Sequence, residues 1–374
     1  MNARRLLTAS LLAATFGLSV AAQNGQTAKP IKDPNDDKPW PDAAAVEKAR
    51  KTAEQRPLFA SADPLPLSLV ADFGQVQNDR DPAGQRLYPA KIVLAEGTPD
   101  ERTLAVQIRT RGHSRLKPET CFFAPLRVVF STTAAGTVFE GQKKLKLGVH
   151  CKDVGDFPEY TLREYPVYRM FNLLTTNSFR ARLAEVKYVD TKNRKSFIRG
   201  GMFIEDDDDV ARRVGGRISD STGKFATAYD PGMTLMTTIF GYLIGNTDVS
   251  LRALHNIRSV LMPDGRRLPI PYDFDFSGVV DAAYAAPNPM LDLGSVRQRL
   301  YLGPCLPQTG LNVYVARFKA AHDTLLGVYD TVPMLKPQYR VKAKAYLQGF
   351  FDRVSTPDGV KRAFVDGCGR GPYM

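Results

Sequence analysis

Five residues that could hold a metal-bound phosphate group lie within one short stretch of this sequence. The stretch GNTDVSLRALHNIRSVLMPDGRRLPIPYDFDFSG contains Asn246, Asp248, Asn256, Asp273 and Asp275. An aspartate just past a helix can hold an incoming hydroxyl group. An asparagine and a later aspartate supply the hard oxygen ligands that Mg²⁺ prefers when it bridges nucleotide phosphates. The types and order of these residues therefore predict a site for metal-assisted phosphoryl chemistry.

A helix must precede this site, and a hairpin must carry the rest of it. In DPGMTLMTTIFGYLIG the apolar residues recur at helical spacing, with Asp230 as N-cap, Pro231 in the first turn and Gly245 as a stop signal. HNIRSVLM and RRLPIPYDF are short apolar runs, and the sequence PDG at 263–265 is a turn signal between them. We expect the helix end, the loop and the hairpin to bring the five polar residues together.

A purely structural interpretation accounts for the same residues. Asn-Thr-Asp after a helix is also an ordinary capping turn, and Asp273 and Asp275 could be solvated acids at the end of a strand. Both interpretations stay open on the sequence alone.

The order of several motifs resembles the CotH-type atypical protein kinases (the spore-coat CotH kinase-like family) and, more distantly, the HipA-type and phosphatidylinositol kinases. GNTD, a following HN and PYDFDFSG look like the catalytic half of that family. RTRGHSR resembles its RGNS-type segment, KKLKLGVHCKD its lysine-bearing strand, TLREYPVYRMFNLL its Arg-Glu-led helix, and GGMFIEDDDD its strand that runs into an acidic hinge. The similarity covers about residues 100 to 285. It implies an α+β, bilobal protein-kinase-like fold, with an antiparallel sheet N-lobe and a mainly helical C-lobe.

The resemblance also implies a role for each motif residue. Asp248, with Asn246 beside it, would be the catalytic residue that orients or deprotonates the acceptor hydroxyl. Mg²⁺ or Mn²⁺ bound with ATP would lie on Asn256 and Asp273, with Asp275 as the alternate ligand. The residues that would bind the nucleotide are Arg111, Gly112 and Ser114 in a turn, Lys144 or Lys146 on phosphate, Glu164 as the partner of the lysine, and Glu205 at the hinge.

Length and charge allow two domain-sized units and favour an acidic ligand. The chain has 374 residues, of which 43% are apolar, and a formal charge of +12, which becomes +10 when a leader carrying Arg4 and Arg5 is removed. A nucleotide, a polyphosphate or an anionic envelope polymer fits this charge, as does a basic surface with no specific ligand. We find no DNA- or RNA-binding motif, so no specific nucleic-acid partner is expected.

The N-terminus predicts export. MNARRLLTASLLAATFGLSVAAQ has two arginines, an apolar stretch and small residues before a cleavage site near Ala21 or Ala22, which is typical of a secretory signal peptide over 1–22. We see no later run of about 18 apolar residues, so no transmembrane segment is expected after cleavage. The predicted location is periplasmic or secreted.

The rest of the chain divides by its patterning. We expect a polar linker with one short helix, at Ala43 to Glu54, over 23–60. Alternating strand runs over 61–205 predict a β-rich N-lobe with a twisted antiparallel sheet. We expect 206–374 to form a helical C-lobe that carries the catalytic-type hairpin.

The four cysteines permit three pairings, and the sequence alone does not choose among them. We expect Cys121 to pair with Cys151, which would tie the ends of a two-stranded segment. Cys305 with Cys368 would fasten the C-terminal tail to the loop after the predicted metal strand.

Three functions are compatible with these observations. The first is a secreted kinase-like phosphotransferase that uses ATP and Mg²⁺ to modify a protein hydroxyl. The second is an inactive relative that binds an anionic ligand or an envelope partner. The third is a structural envelope protein in which the aspartates and asparagines only cap turns.

Overall fold

Seven strands in the first half of the chain form a closed barrel. The computed structural model describes residues 30–131 and 134–369, and the account below concerns those residues. The strand order around the barrel is β1-β2-β3-β4-β5-β7-β6. The strands are β1 Leu65–Ala71, β2 Tyr88–Leu94, β3 Arg102–Thr110, β4 Leu126–Phe130, β5 Lys144–Gly148, β6 Ala181–Asp190 and β7 Ser196–Ile204.

Alternation along these strands separates the barrel interior from its outer face. Ile108 of β3 lies opposite Val128 of β4, and both side chains are fully buried in the barrel core. Their neighbours Arg109 and Arg127 also lie opposite each other, and because side chains alternate along a strand, they project from the outer face. The outer face of β3, β4 and β5 is therefore available to a polar site.

The predicted bilobal protein-kinase-like fold, with its antiparallel sheet N-lobe, is wrong. The strands predicted from the sequence are present, but β1 pairs in parallel with β6, from Leu65 opposite Ala184 to Ala71 opposite Asp190. This pairing closes the sheet into a mixed barrel and removes two edge strands with unpaired backbone groups. The alternating pattern of each strand indicates a buried face, but it carries no information on which distant strand completes the sheet.

Helices and a small sheet form a second body with its own apolar core. A three-stranded antiparallel sheet contains β8 Arg217–Ser219, β9 Ile257–Leu261 and β10 Arg267–Pro271, in the order β10-β9-β8. The helices of the described residues are α1 Ala43–Glu54, α2 Phe73–Asn78, α3 Phe157–Leu174, α4 Asp207–Arg213, α5 Pro231–Ile244, α6 Gln308–Ala320, α7 His322–Gly327, α8 Pro337–Arg353 and α9 Pro357–Val360, and of these α2 packs on the barrel core. Residues of α3, α5, α6 and α8 share one core, so the helix between β5 and β6 packs with the C-terminal helices.

The helix and hairpin predicted around the site are confirmed. The side chain of Asp230 caps α5 by accepting a hydrogen bond from the Met233 amide at 2.8 Å. Gly245 ends the helix in the left-handed region at φ 68°, where a side chain would also collide with the Tyr346 hydroxyl. Strands β9 and β10 pair as an antiparallel hairpin across the predicted turn. These local signals place the loop after α5 beside the hairpin.

Residues 30–56 dock on the second body, whereas Leu58 packs in the barrel core. The helix α1 spans the residues predicted to be helical and packs against α4. Asp36 forms an ion pair with Arg267 at 2.6 Å, and the Asp33 amide donates to the Ser221 hydroxyl at 2.8 Å. This part of the predicted linker is therefore held by polar contacts that its composition does not reveal.

Two disulfides join Cys121 to Cys151 and Cys305 to Cys368, which confirms the expected pairing. Within 30–131 and 134–369, no helix is long and apolar enough to cross a membrane. The predicted signal peptide over 1–22 lies outside the described residues.

Candidate functional site

A cleft of about 330 Å³ lies between the outer face of the barrel and the loops that flank the β9–β10 hairpin. Basic side chains and the polar residues of the predicted site line it together. The lining residues that bear on its chemistry are Asp81, Arg109, Arg111, Gly112, His113, Arg127, Lys146, His255, Asn256, Arg258, Tyr272 and Asp273.

Three cations lie side by side across neighbouring strands on one wall of this cleft. Arg109 of β3 is opposite Arg127 of β4, and Arg127 is opposite Lys146 of β5. Like charges directly opposite each other in a sheet are destabilising. We call this row the cation ladder, and its unfavourable charge indicates that an anion compensates it.

The arginines of this wall lack acidic partners. In the part of the chain that the structure describes, Arg109, Arg111 and Arg127 form no ion pair with a carboxylate within 4.0 Å; the side chain of Arg109 donates to the Gly84 carbonyl at 2.8 Å. The Nε of Arg127 is buried and has no hydrogen-bond partner among the described residues. Burial, and then the neighbouring arginine charges, lower the pKa of Arg127. Unpaired guanidinium groups that converge on a cleft are typical of phosphate recognition.

Asp207 forms an ion pair with Lys146, the last residue of the ladder. Its Oδ1 lies 2.6 Å from the Lys146 ammonium and its Oδ2 lies 3.0 Å from Nε of Arg258. Burial lowers the pKa of Lys146 to about 8, against the opposing effect of Asp207. Burial alone would raise the pKa of Asp207, but the two cations lower it below its usual range. The predicted pairing of Lys146 with Glu164 is wrong, because the short α4 brings Asp207 to the lysine instead.

Asp248 and Asn256 form one hydrogen-bonded unit at the mouth of the hairpin. The Nδ2 of Asn256 donates to Oδ2 of Asp248 at 2.9 Å and to its backbone carbonyl at 2.8 Å. The Oδ1 of Asp248 lies 2.9 Å from Nε2 of His255, and this hydrogen bond raises the pKa of the histidine. The side chain of Asn246 is buried and accepts from the Asp248 amide at 3.0 Å, so it fixes the loop. Asp248 is therefore oriented by three neighbours while about a third of its side chain stays exposed.

Two of the predicted ligands adopt an unusual backbone conformation. Asn256 has φ 53° and Asp273 has φ 59°, in the left-handed region that most residues avoid. Asparagine and aspartate tolerate this region better than other side chains, and the amide of Asp273 donates to the Tyr168 hydroxyl at 2.9 Å. Such outliers cluster at functional sites, which gives these positions a reason to be Asn and Asp.

A buried network lies directly behind Asp273. Nη2 of Arg115 is 3.0 Å from Oδ1 of Asp273, and its Nε is 3.4 Å from Oδ2 of Asp275. The Tyr284 hydroxyl donates to Asp275 at 3.0 Å. Burial raises the pKa of Asp275 to about 6, with the charge of Arg115 opposing it. Glu164 accepts a hydrogen bond from the Phe274 amide at 3.1 Å, and burial raises its pKa to about 8.

The residues around the cleft fit a magnesium ion shared with a phosphorylated ligand. Asp273 has a side chain that is 28% exposed, and Asn256 donates through Nδ2, which leaves its amide oxygen outside those bonds. Mg²⁺ is usually held by one or two protein oxygens together with substrate phosphates. Asp275 does not fit this role, because its side chain is 5% exposed, forms an ion pair with Arg115 and accepts a hydrogen bond from Tyr284. No group of three or more His, Cys, Asp or Glu side chains arranged for a metal occurs in 30–131 and 134–369.

The other predicted site residues lie at varying distances from this chemistry. Gly112 lines the cleft with φ 112°, a conformation that suits glycine, and Ser114 begins the short turn of helix that carries Arg115. Lys144 lies 3.3 Å from Asp208. Glu205 is fully buried between Arg180 and Arg213 and fastens the strand end to α4.

Sequence reasoning missed several of the residues that shape the site. Arg109 and Arg127 occupy the polar positions of amphipathic strands, where a charged residue is ordinarily solvated. Only the register between the strands shows that these charges face each other. Asp207 is one of five consecutive acids, Glu205 to Asp209. Nothing in the sequence indicates which of them pairs with Lys146.

No protein-family model matches this chain, and the search of curated proteins finds no match either.

Proposed function

We propose that this protein is a phosphotransferase that moves a phosphoryl group from a phosphoanhydride donor such as ATP to a protein hydroxyl, with Mg²⁺ or Mn²⁺. One observation carries this proposal. A single cleft is lined by five basic side chains and by Asn256 and Asp273, with Asp248 bonded to Asn256. Phosphoryl transfer needs cations around the phosphates and an oriented acid beside the attacking oxygen.

Each residue has a defined part in the proposed reaction. The ladder and Arg111 bind the phosphate oxygens and stabilise their negative charge. Asp248 accepts the proton of the acceptor hydroxyl as its oxygen attacks the terminal phosphorus, and the bond to the bridging oxygen of the donor breaks. Asp273 and Asn256 would hold the divalent cation, which would supply positive charge for the leaving group.

Arg115 fixes the position of Asp273 in the proposed site. It neutralises part of the charge on Asp273 and Asp275, so that Asp273 can be held at the cleft without a permanently bound metal ion. Asp273 would then hold the ion together with a phosphate ligand, as is common for Mg²⁺.

We also infer that the protein works outside the cytoplasm. Its two disulfides favour an oxidising compartment. The finer inference, a periplasmic or secreted protein released by signal cleavage, depends on the sequence of 1–22.

A second candidate function is binding of an anionic ligand or envelope partner without transfer. Arg115 favours it, since a guanidinium between Asp273 and Asp275 provides the positive charge that a metal would otherwise supply. In that case the cation ladder would bind the ligand, and Asp248 would only fix the loop.

Thermal unfolding distinguishes the two functions from each other and from a protein that binds no ligand. We would measure the protein with ATP or tripolyphosphate and with Mg²⁺ or Mn²⁺, singly and together, beside D273N and the control D264N in the exposed hairpin turn. A ligand at about 100 times its Kd stabilises a protein by roughly 2.7 kcal/mol. The transferase predicts a metal-dependent shift that D273N removes and D264N keeps. A shift without metal that D273N retains would favour simple anion binding, and no shift under any condition would contradict both.

A further inference from the structure

We propose that the preferred donor in this cleft is a linear polyphosphate chain, rather than a nucleotide. This inference rests on the proposed function and deepens it, because it assigns the class of molecule that supplies the phosphoryl group.

The basic side chains form a row, which suits a linear anion. Arg109, Arg127 and Lys146 lie opposite one another on three neighbouring strands, whose separation is about 4.8 Å. The row therefore spans roughly 10 Å from its first strand to its third. Arg111 lies beside this row, two residues after Arg109 along the chain, and Arg258 lies beside Lys146 through their shared Asp207. A chain of successive phosphates presents charge along such a row, whereas a single phosphate would meet only part of it.

The cleft offers little to a nucleotide base. Sites for organic cofactors are lined mainly by apolar and aromatic side chains, with a few polar groups. The apolar aliphatic lining here is limited to Pro82, Leu116 and Leu254. The ring of Tyr272 is already in contact with cations, since Nζ of Lys146 lies 4.5 Å and Cζ of Arg258 lies 4.6 Å from its centroid.

The free protein compensates this charge only in part, since Asp207 pairs with Lys146 and no carboxylate among the described residues pairs with the ladder arginines. The described residues give Arg109, Arg111 and Arg127 no carboxylate partner, and the buried Nε of Arg127 donates to nothing. The guanidinium groups of Arg109 and Arg111 therefore have no carboxylate partner among the described residues, and phosphate oxygens can accept hydrogen bonds from such groups. This observation is independent of the row itself and points to the same ligand.

The transfer balances without any further reactant. The acceptor hydroxyl oxygen forms a bond to the terminal phosphorus of the chain, and the bond from that phosphorus to its bridging oxygen breaks. The hydroxyl proton passes to Asp248, and the released chain is one phosphate shorter.

Direct titration calorimetry at fixed pH and ionic strength, with Mg²⁺ present, tests the inference. The probes are inorganic phosphate, tripolyphosphate, longer polyphosphate, AMP, ATP and polyglutamate. The variants are R127Q and R109Q in the ladder, with R102Q as control, because Arg102 is exposed on the same strand β3 and lies outside the cleft. Two ladder variants guard against one that does not fold, and unfolding curves verify the fold of each.

We expect tripolyphosphate and longer chains to bind at least tenfold more tightly than ATP, and phosphate and AMP to bind weakly. Each ladder variant should lose about tenfold in affinity for the chain, and R102Q should lose none. ATP binding as tightly as tripolyphosphate would overturn the inference and leave the proposed function intact. Polyglutamate binding as tightly as polyphosphate would overturn it as well, because the cleft would then attract any polyanion. If no phosphate compound binds, both the inference and the proposed function fail.

Discussion

Arg115 holds Asp273 through a contact of 3.0 Å between its Nη2 and Oδ1 of the carboxylate, and its side chain is only 9% exposed. The same guanidinium reaches Asp275 at 3.4 Å. One buried cation therefore connects the short turn of helix after the Gly112 loop to both acids of the DFD sequence. This connection fixes the acid that faces the cleft.

We predict that R115M destabilises the protein by about 3 to 5 kcal/mol, because it leaves buried carboxylates without their counter-ion. Urea unfolding measures this change. The double variant R115M/D275N should recover part of the loss, since it removes one uncompensated charge. R102M, at an exposed position, is the control. A loss for R115M as small as that for R102M would show that the network contributes little.

We predict that ligand binding depends on pH through the ionisation of Lys146. Burial lowers the pKa of this lysine to about 8, so its ammonium is charged below that pH and becomes neutral above it. The affinity for tripolyphosphate should therefore weaken as the pH rises through about 8. Calorimetry between about pH 7 and pH 9.5 measures the effect. K146R should remove this dependence, because an arginine stays charged over the whole range. Equal affinity of the wild type at both ends of the range would contradict the assignment.

The cation ladder predicts opposite effects on stability and binding. Arg127 lies between two like charges, so R127Q should stabilise the free protein by roughly 0.2 to 1 kcal/mol. The same substitution removes a ligand donor and should reduce stabilisation by tripolyphosphate. Thermal unfolding with and without the ligand measures both effects. A variant that is less stable when free, with unchanged stabilisation by the ligand, would assign Arg127 a structural role instead.

We predict that the fold loses stability in acid, because His150 is buried. The ring stacks on Phe123 at 4.9 Å, beside Tyr188 and Phe197, with Asp153 at 3.8 Å. Burial lowers its pKa to about 4, against the opposing charge of Asp153 and with Arg199 adding to the shift. Between about pH 6.5 and pH 4, His150 is therefore protonated in the unfolded chain and neutral in the folded protein. The stability present above about pH 6.5 is lost progressively as the pH falls toward 4, by at most about 3 kcal/mol.

Unfolding free energies measured from about pH 7 to pH 4.5 test this sign. H150F should flatten the slope, because it keeps the aromatic contacts and removes the titrating group. H322Q, at a histidine outside this aromatic cluster, should retain the loss of stability toward low pH or make it steeper, because hydrogen bonds to Gln348 and Asp323 raise the pKa of His322. An unchanged slope in H150F would assign the acid sensitivity to other groups.

Local signals predicted the elements of the site better than its contacts. Asp230 and Gly245 mark the ends of α5 because a cap and a left-handed stop act on their own helix. The pairing of β1 with β6 joins residues more than a hundred positions apart, and no local pattern specifies it. The same limit applies to Arg109 and Arg127, whose opposition depends on strand register. It also applies to Lys146, whose neighbour Asp207 is chosen by the position of α4.

The most direct measurement of the central claim is phosphoryl transfer by wild type and D248N. Radiolabelled tripolyphosphate and ATP would be supplied with Mg²⁺, with dephosphorylated casein and the protein itself as acceptors, beside the control D264N. Loss of a general base lowers a rate by about 10² to 10⁴-fold. We predict transfer in wild type and D264N, a loss of this size in D248N, and donor binding in D248N that stays within about twofold of wild type. Equal transfer by D248N and wild type, or donor binding without transfer in either, would contradict the account.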